Sequence, residues 1–245
     1  ISSILSRTDS LAVFKKGPDY IDPYWLSLAS KVNCYNLDFF TMSNSEIKKL
    51  YKQMSYEKNI SIIEGNKGLF DGISLDGGDS NASLAHLLKL EVILVIDCVG
   101  MTRGVAPLLK GYQEFDKKIK YKGIILNNIA NDRHENKVIN AINEFTKLKV
   151  IGSIHKNKQL TIMEKKLGLE PVFQNPYTKN IIKNISSVIK KSVDMKYLIN
   201  KKTNNKDNKI PKVVLKKHIY SNLRIGVALD SAFVFYYPDD INEFK

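Results

Sequence analysis

Cysteine is scarce in this chain: Cys34 and Cys98 are its two. They form no disulfide framework and show no metal-ligand spacing, which suits a reducing, cytoplasmic setting. Arginine is nearly as rare. Only Arg7, Arg103, Arg133 and Arg224 stand among 38 basic residues, so the net charge of +13 is almost all lysine. The lysines are scattered among asparagines and isoleucines, without the guanidinium forks and interleaved aromatics that recognise phosphates and bases. A nucleic-acid partner is therefore not expected, and the charge suits a polyanionic small substrate instead. No apolar run approaches the ~18 residues of a spanning helix, and no signal-peptide pattern opens the chain, so no membrane partner is expected. What remains is a globular composition, 43% hydrophobic and 26% charged over 245 residues. That length buries a full α/β core.

The most informative stretch is Glu64-Gly65-Asn66-Lys67-Gly68-Leu69-Phe70-Asp71-Gly72. It follows Ile60-Ser61-Ile62-Ile63, a short apolar run that reads as a buried parallel strand. Glu64 and Asp71 then fall at the strand's C-terminal end, where open α/β sheets bind ligands, among glycines that let backbone approach closely. Two carboxylates around such a turn suit Mg²⁺, which prefers hard oxygens; a solvated turn with two surface acids is the alternative. A second loop, Lys15 to Pro23, follows the brief strand Leu11-Ala12-Val13-Phe14. Its Gly-Pro and Asp-Pro steps forbid continuation of the strand, so Asp19 and Asp22 sit on a stiff loop beside Lys15 and Lys16.

Further along, periodicity gives helices over 24–30 and 43–56, the second opened by a Ser43/Glu46 capping box. Asp79 or Ser80 caps a helix reaching Leu88, whose His86 reads as a surface side chain. The strand 92–97 ends in Asp97, a residue for metal or catalysis or a cap of the next turn. Thr102 and Arg103 precede a helix over 105–115 and suit an anion there, with Thr102 as a plain cap the alternative. Strand 123–128 ends in Asn127 and Asn128, amides able to read a purine edge. Helix 133–145, strand 150–154, a helix over 160–167 and a helix over 181–193 follow. This alternation predicts a doubly wound, mostly parallel sheet. Residues 200–222 are rich in Lys and Asn and read as a linker. Leu223 to Leu229 then reads as the first strand of a second domain.

Taken together these residues resemble the cobyrinic acid a,c-diamide synthase family. Phe14 to Pro23 is similar to the family's substrate-side motif, and Glu64 to Gly72 to its Glu-Gly-x-x-Gly-Leu-Phe-Asp-Gly motif. Asn127 with Arg133-His134, Leu167 to Pro171, and Arg224 to Pro238 (similar to the opening of the glutaminase domain) follow in order. The resemblance implies the P-loop NTPase or dethiobiotin-synthetase-like type of α/β fold. It implies a ligase that uses ATP and Mg²⁺ to phosphorylate a carboxylate of an anionic tetrapyrrole, then amidates it with ammonia from glutamine. By the same resemblance Glu64 binds Mg²⁺, Asp71 assists metal or substrate activation, and Asp19 and Asp22 orient the macrocycle carboxylate and metal. Lys15 neutralises the acyl phosphate and Asn127 reads adenine. A homodimer is compatible with it.

Two family features have no counterpart: the P-loop Gly-x-x-x-x-Gly-Lys-Ser/Thr and the glutaminase cysteine and histidine. With Ile1 rather than Met first, the chain reads as a piece of a larger enzyme. The expected division is a synthetase domain over 1–199, a linker over 200–222 and the start of a glutaminase domain over 223–245. The run Gly100 to Leu109 resembles relatives that amidate sirohydrochlorin-type macrocycles, an alternative substrate. A binding remnant without catalysis is a further alternative.

Overall fold

The computed structural model describes residues 1–165, 168–199, 223–230 and 232–244. Two compact units emerge from the contacts. One comprises Ser2–Glu64 and Ile162–Lys179 with the C-terminal stretch; the other comprises Gly65–Thr161 and Asn180–Lys201 together with Ile1.

The first unit opens with a short helix α1 (Ser2–Leu5) and is built on strand β1 (Leu11–Lys16), whose six residues are all buried. Helix α2 (Asp22–Ser30) carries Pro23 in its first turn, where the missing N–H costs nothing. It stops at Lys31, left-handed at φ 61, whose N–H reaches Ser27 O. Strand β2 (Cys34–Leu37), helix α3 (Asn44–Ser55) and strand β3 (Ile60–Glu64) complete the run. The sheet order is β2-β1-β3, parallel throughout, with Lys15 in register with Asn36 on one side and Glu64 on the other. The Ser43/Glu46 capping box of α3 is present in both directions. Phe14 is fully buried, its ring 5.3 Å from that of Tyr51 on α3 and 6.4 Å from that of Tyr35. Alternation along β1 therefore turns Phe14 and Lys16 towards α3, and Lys15 the other way.

The second unit repeats the alternation: helix α4 (Asn81–Leu88), strand β4 (Glu91–Asp97), helix α5 (Val105–Phe115), strand β5 (Lys120–Ile129), helix α6 (Asp132–Phe145) and strand β6 (Val150–His155). Helices α7 (Thr178–Ser192) and α8 (Met195–Ile199) close it. The order β4-β5-β6 is again parallel. Strand β5 is central and buried on both faces. Ile124 and Leu126 join a core with Val105, Leu109, Val138 and Ile142, while Ile125 faces Ile151, Ile154 and Val193. Helices thus cover both sides of this sheet, as a doubly wound α/β pattern requires.

Two expectations are corrected. Residues 158–160 form a single 3-10 turn, and Glu164–Lys165 pairs antiparallel with Gly168–Leu169, so the described residues 160–165 do not form the helix read over 160–167. The cause is the Gly168-Leu169-Glu170-Pro171 run: Gly168 adopts φ 120 and Pro171 bars a helix from continuing. Residues 223–229 form no strand, having no ladder partner among the described residues to satisfy one edge. The linker read over 200–222 lies outside the described residues. Strand β2 was not foreseen, because Cys-Tyr-Asn-Leu has neither a long apolar run nor strict alternation. Its burial comes from the sheet.

Gly152 sits on β6, bridged antiparallel to Val193. A Cβ there would meet Val193 Cγ2 at 2.8 Å and the Ser192 carbonyl oxygen at 3.0 Å. Backbone cannot give way as a side chain can, so Gly152→Ala is expected to lower stability by about 1–3 kcal/mol. Urea unfolding checks this, and an unchanged midpoint would contradict the close approach.

Candidate functional site

In the first unit the charged residues converge at the C-terminal end of β1. Lys15 is 4% exposed, and an ammonium so buried must be paired. Its Nζ donates to Asp22 Oδ2 at 2.7 Å and Glu64 Oε1 at 2.8 Å, with Asp19 Oδ2 at 3.9 Å. Glu64 arrives from the neighbouring strand in register, and Asp22 from the first turn of α2. Asp19 shapes the loop between them. Its Oδ1 accepts the N–H groups of Ile21 at 2.8 Å and Asp22 at 3.0 Å, an Asx turn leading into the helix. Four residues singled out in the sequence are thus brought together.

Burial alone would lower the Lys15 pKa; the charge of Glu64 and the hydrogen bonds of Asp22 and Glu64 outweigh it and hold the ammonium above its ordinary value. Burial pushes Glu64 up, and Lys15 only partly offsets this while Asp22 and Asp19 add to it. Asp19 is also raised by burial, against its two backbone hydrogen bonds. Burial is the largest influence on both carboxylates, and crowding adds to it. Three carboxylates divide a single ammonium, so the cation is over-stabilised and the anions are under-compensated.

The excess of negative charge and the 45% exposure of its side chain make Glu64 the carboxylate here that could meet a hard cation such as Mg²⁺. Glu64 keeps Oε2 beyond its bond to Lys15.

Asp71 belongs to the second unit, where its Oδ2 accepts the Gly68 N–H at 2.9 Å and closes the Gly-rich turn. That turn is held by Asn81, at the start of α4. Its Oδ1 accepts the Asn66 N–H at 3.1 Å, and its Nδ2 donates to the Asn66 carbonyl and, at 2.8 Å, to Gly68 O. Side chains on Gly65 or Gly68 would collide with Asn81 and Asp71 respectively. Asp79 caps the next turn through the N–H groups of Ile73 and Ser74, leaving Ser80 as the N-cap of α4.

Asn127 ends up half-buried on β5 in register with Asp97, its side-chain amide without a hydrogen bond among the described residues. Asp97 caps the following turn through Val99 N–H and accepts from Asn128. Thr102 does not cap α5; Gly104 holds that position, and Arg103 lies over the Phe145 ring at 5.1 Å. His134 is structural: Nδ1 accepts the Ala130 N–H, which leaves Nε2 to donate to the Met101 carbonyl. His86 lies at the surface as read, paired with Asp116 at 2.6 Å, which lowers that carboxylate's pKa. Asp132, Glu135 and His155 bring ligand atoms within 4.8 Å of one another, but the 2.8 Å Glu135–His155 bond and the first turn of α6 already account for their charges.

Two polar residues escaped the sequence reading. Asn36 and Asn81 both use a side-chain amide to fix a loop by its backbone. Asn81 follows its Gly-rich loop in sequence, whereas Asn36 lies beyond helix α2 from Gly17 and no local pattern points to it. The matched Gly168 to Pro171 run also has a structural task, since Glu170 O accepts the Trp25 indole N–H at 2.8 Å and steadies α2. Leu167 lies outside the described residues.

Lys15→Met strands the three carboxylates. They are partly exposed, so the expected loss at neutral pH lies between surface and buried limits, at about 1–2 kcal/mol. The Lys15 contribution is fully present below the ordinary lysine pKa and is lost as pH rises through its raised value. Raised carboxylates penalise the fold above their raised values and cease to do so once pH falls below their ordinary ones. The deficit of the variant must therefore shrink as pH falls through the carboxylate range. Urea unfolding of both proteins between neutral and acid pH checks this, and a pH-independent deficit would contradict it.

Comparison with known proteins extends the picture. The chain is 36% identical to the cobyrinate a,c-diamide synthase of Magnetococcus marinus over 95% of its length and 51% of that protein's. It is 36% identical to that of Picrophilus torridus, covering all of this chain and 56% of the relative, and 34% identical to that of Methanococcus vannielii with the same coverage. The chain spans about half the length of the curated relatives it matches. The resemblance read from the motifs thus runs along the whole chain. Residues 8–164 match the model of the AAA domain family AAA_26, which fits a P-loop NTPase-like α/β fold, and the chain belongs to that family.

Proposed function

We propose that this chain supplies the carboxylate-activating part of an ATP- and glutamine-dependent ligase acting on the a and c side chains of a cobyrinic acid-type tetrapyrrole in cobalamin biosynthesis. The observation that carries this reading is the Lys15 cluster, with Asp22 at 2.7 Å and Glu64 at 2.8 Å at the C-terminal edge of a parallel sheet. The relatives' name supports the substrate class, and the AAA domain supports ATP.

In this reading a substrate carboxylate oxygen attacks the terminal phosphorus of ATP, and the bond to the ADP oxygen breaks. Ammonia released from glutamine then attacks the acyl carbon, inorganic phosphate leaves, and ammonia's proton passes to solvent. Phosphoryl transfer needs positioning and charge neutralisation more than covalent participation by the protein. Lys15 stays protonated and exchanges a carboxylate contact for the oxyanion of the acyl phosphate. Asp19 and Asp22 orient the macrocycle carboxylate, a role that like charge permits only with a cation between them. Glu64 is the proposed carboxylate for Mg²⁺, which supplies charge neutralisation at the transferring phosphoryl group. The roles of Asp71 in activation and Asn127 at adenine rest on the resemblance.

The test is amide formation in the complete protein, followed by mass spectrometry, with sirohydrochlorin assayed in parallel as the competing substrate. Glu64→Gln and Asp19→Asn are each expected to cut amidation by at least about 100-fold, the scale of losing one charge-stabilising group. Activity retained in both variants would refute the site assignment.

A further inference from the structure

Asn36 occupies an unusual place beside this cluster. It lies on β2 in register with Lys15, on the side away from Glu64, and is 4% exposed. Its Nδ2 donates to two loop carbonyls, Gly17 O at 2.9 Å and Asp19 O at 2.7 Å. Gly17 is left-handed at φ 85, so the backbone turns sharply there and two carbonyls come to face one amide. The amide's own oxygen, Oδ1, is buried and has no hydrogen-bond partner among the described residues.

That orphaned acceptor is costly, since an unsatisfied buried oxygen costs on the order of 1–3 kcal/mol. Residues chosen for packing alone avoid it. What the amide provides in exchange is a fixed relation between the strand and the loop. The contacts run in series: Asn36 holds the Asp19 backbone, the Asp19 carboxylate holds the N–H groups of Ile21 and Asp22, and this start of α2 presents Asp22 to Lys15. Aspartate at this position would lose both donors and add a fourth carboxylate to the cluster.

We propose that Asn36 is a positioning residue for the amidation. By clamping Gly17 and Asp19 it keeps Asp19 and Asp22 aligned with Lys15, and so governs turnover without touching substrate. This rests on the functional reading above. Misplacement of a reacting group by about 1 Å costs up to ~100-fold in rate.

The experiment uses Asn36→Ser in the complete protein, with Asn36→Gln as the second variant should the first not fold. Two quantities are read: kcat and KM for amidation of the macrocycle, and NMR amide exchange at Ile21 and Asp22. The expected result is a kcat lowered about 10- to 100-fold with KM within about 3-fold, together with exchange at both amides at least about 10-fold faster. Partial recovery of both quantities in Asn36→Gln, which restores a donor amide, is expected as well. A folded variant in which either kcat or exchange is unchanged overturns the proposal. A wild-type protein that forms no amide refutes the functional reading instead, and the exchange measurement then still decides whether Asn36 holds the loop.

Discussion

A buried ammonium has to be paired, and at Lys15 that requirement draws in three separate pieces of chain. Glu64 comes from the adjacent strand, Asp22 from the start of a helix and Asp19 from the turn between strand and helix. Each could relax to solvent if the lysine were absent. Their common dependence on one cation sets the spacing of the site and leaves it with surplus negative charge. A fully compensated lysine would be a structural ion pair with nothing to spare. An over-subscribed one is suited to exchange partners, as the proposed phosphoryl transfer to a carboxylate requires.

The same economy of means appears in both units at the level of loops. Glycines give the backbone room to turn, and a single amide side chain then fixes what the glycines leave free. Asn36 does this for Gly17 and Asp19, and Asn81 does it for Asn66 and Gly68. In each unit the loop begins where a parallel strand of buried or half-buried residues ends, or leads into the helix that follows. Precision at the carboxylates therefore derives from polar contacts to backbone, with the apolar core of each sheet as the rigid base.

Much of this was legible in the sequence, for identifiable reasons. The strand Lys120–Ile129 carries a long apolar run because both its faces are covered, and helices such as Asn44–Ser55 announce themselves by cap and period. The gathering of Lys15, Asp19 and Asp22 followed from a proline-stiffened loop. Glu64 was legible as a strand-end acid, but its pairing with Lys15 required the register of β1 and β3, which no local pattern encodes. Strand β2 and Asn36 were hidden for the same reason: Cys34–Leu37 is short, and its burial is supplied by neighbours distant in sequence. The antiparallel pair at Gly168 was misread because apolar spacing outweighed the glycine and proline that break a helix there.

Activation of a substrate carboxylate by phosphorylation is the step on which every proposed role at the Lys15 cluster depends. The most direct measurement places heavy oxygen in the macrocycle carboxylates and follows it through a single round of amidation by the complete protein. Attack of the carboxylate on phosphorus predicts one labelled oxygen in the released phosphate for each amide formed. Amide formation with unlabelled phosphate would contradict the account.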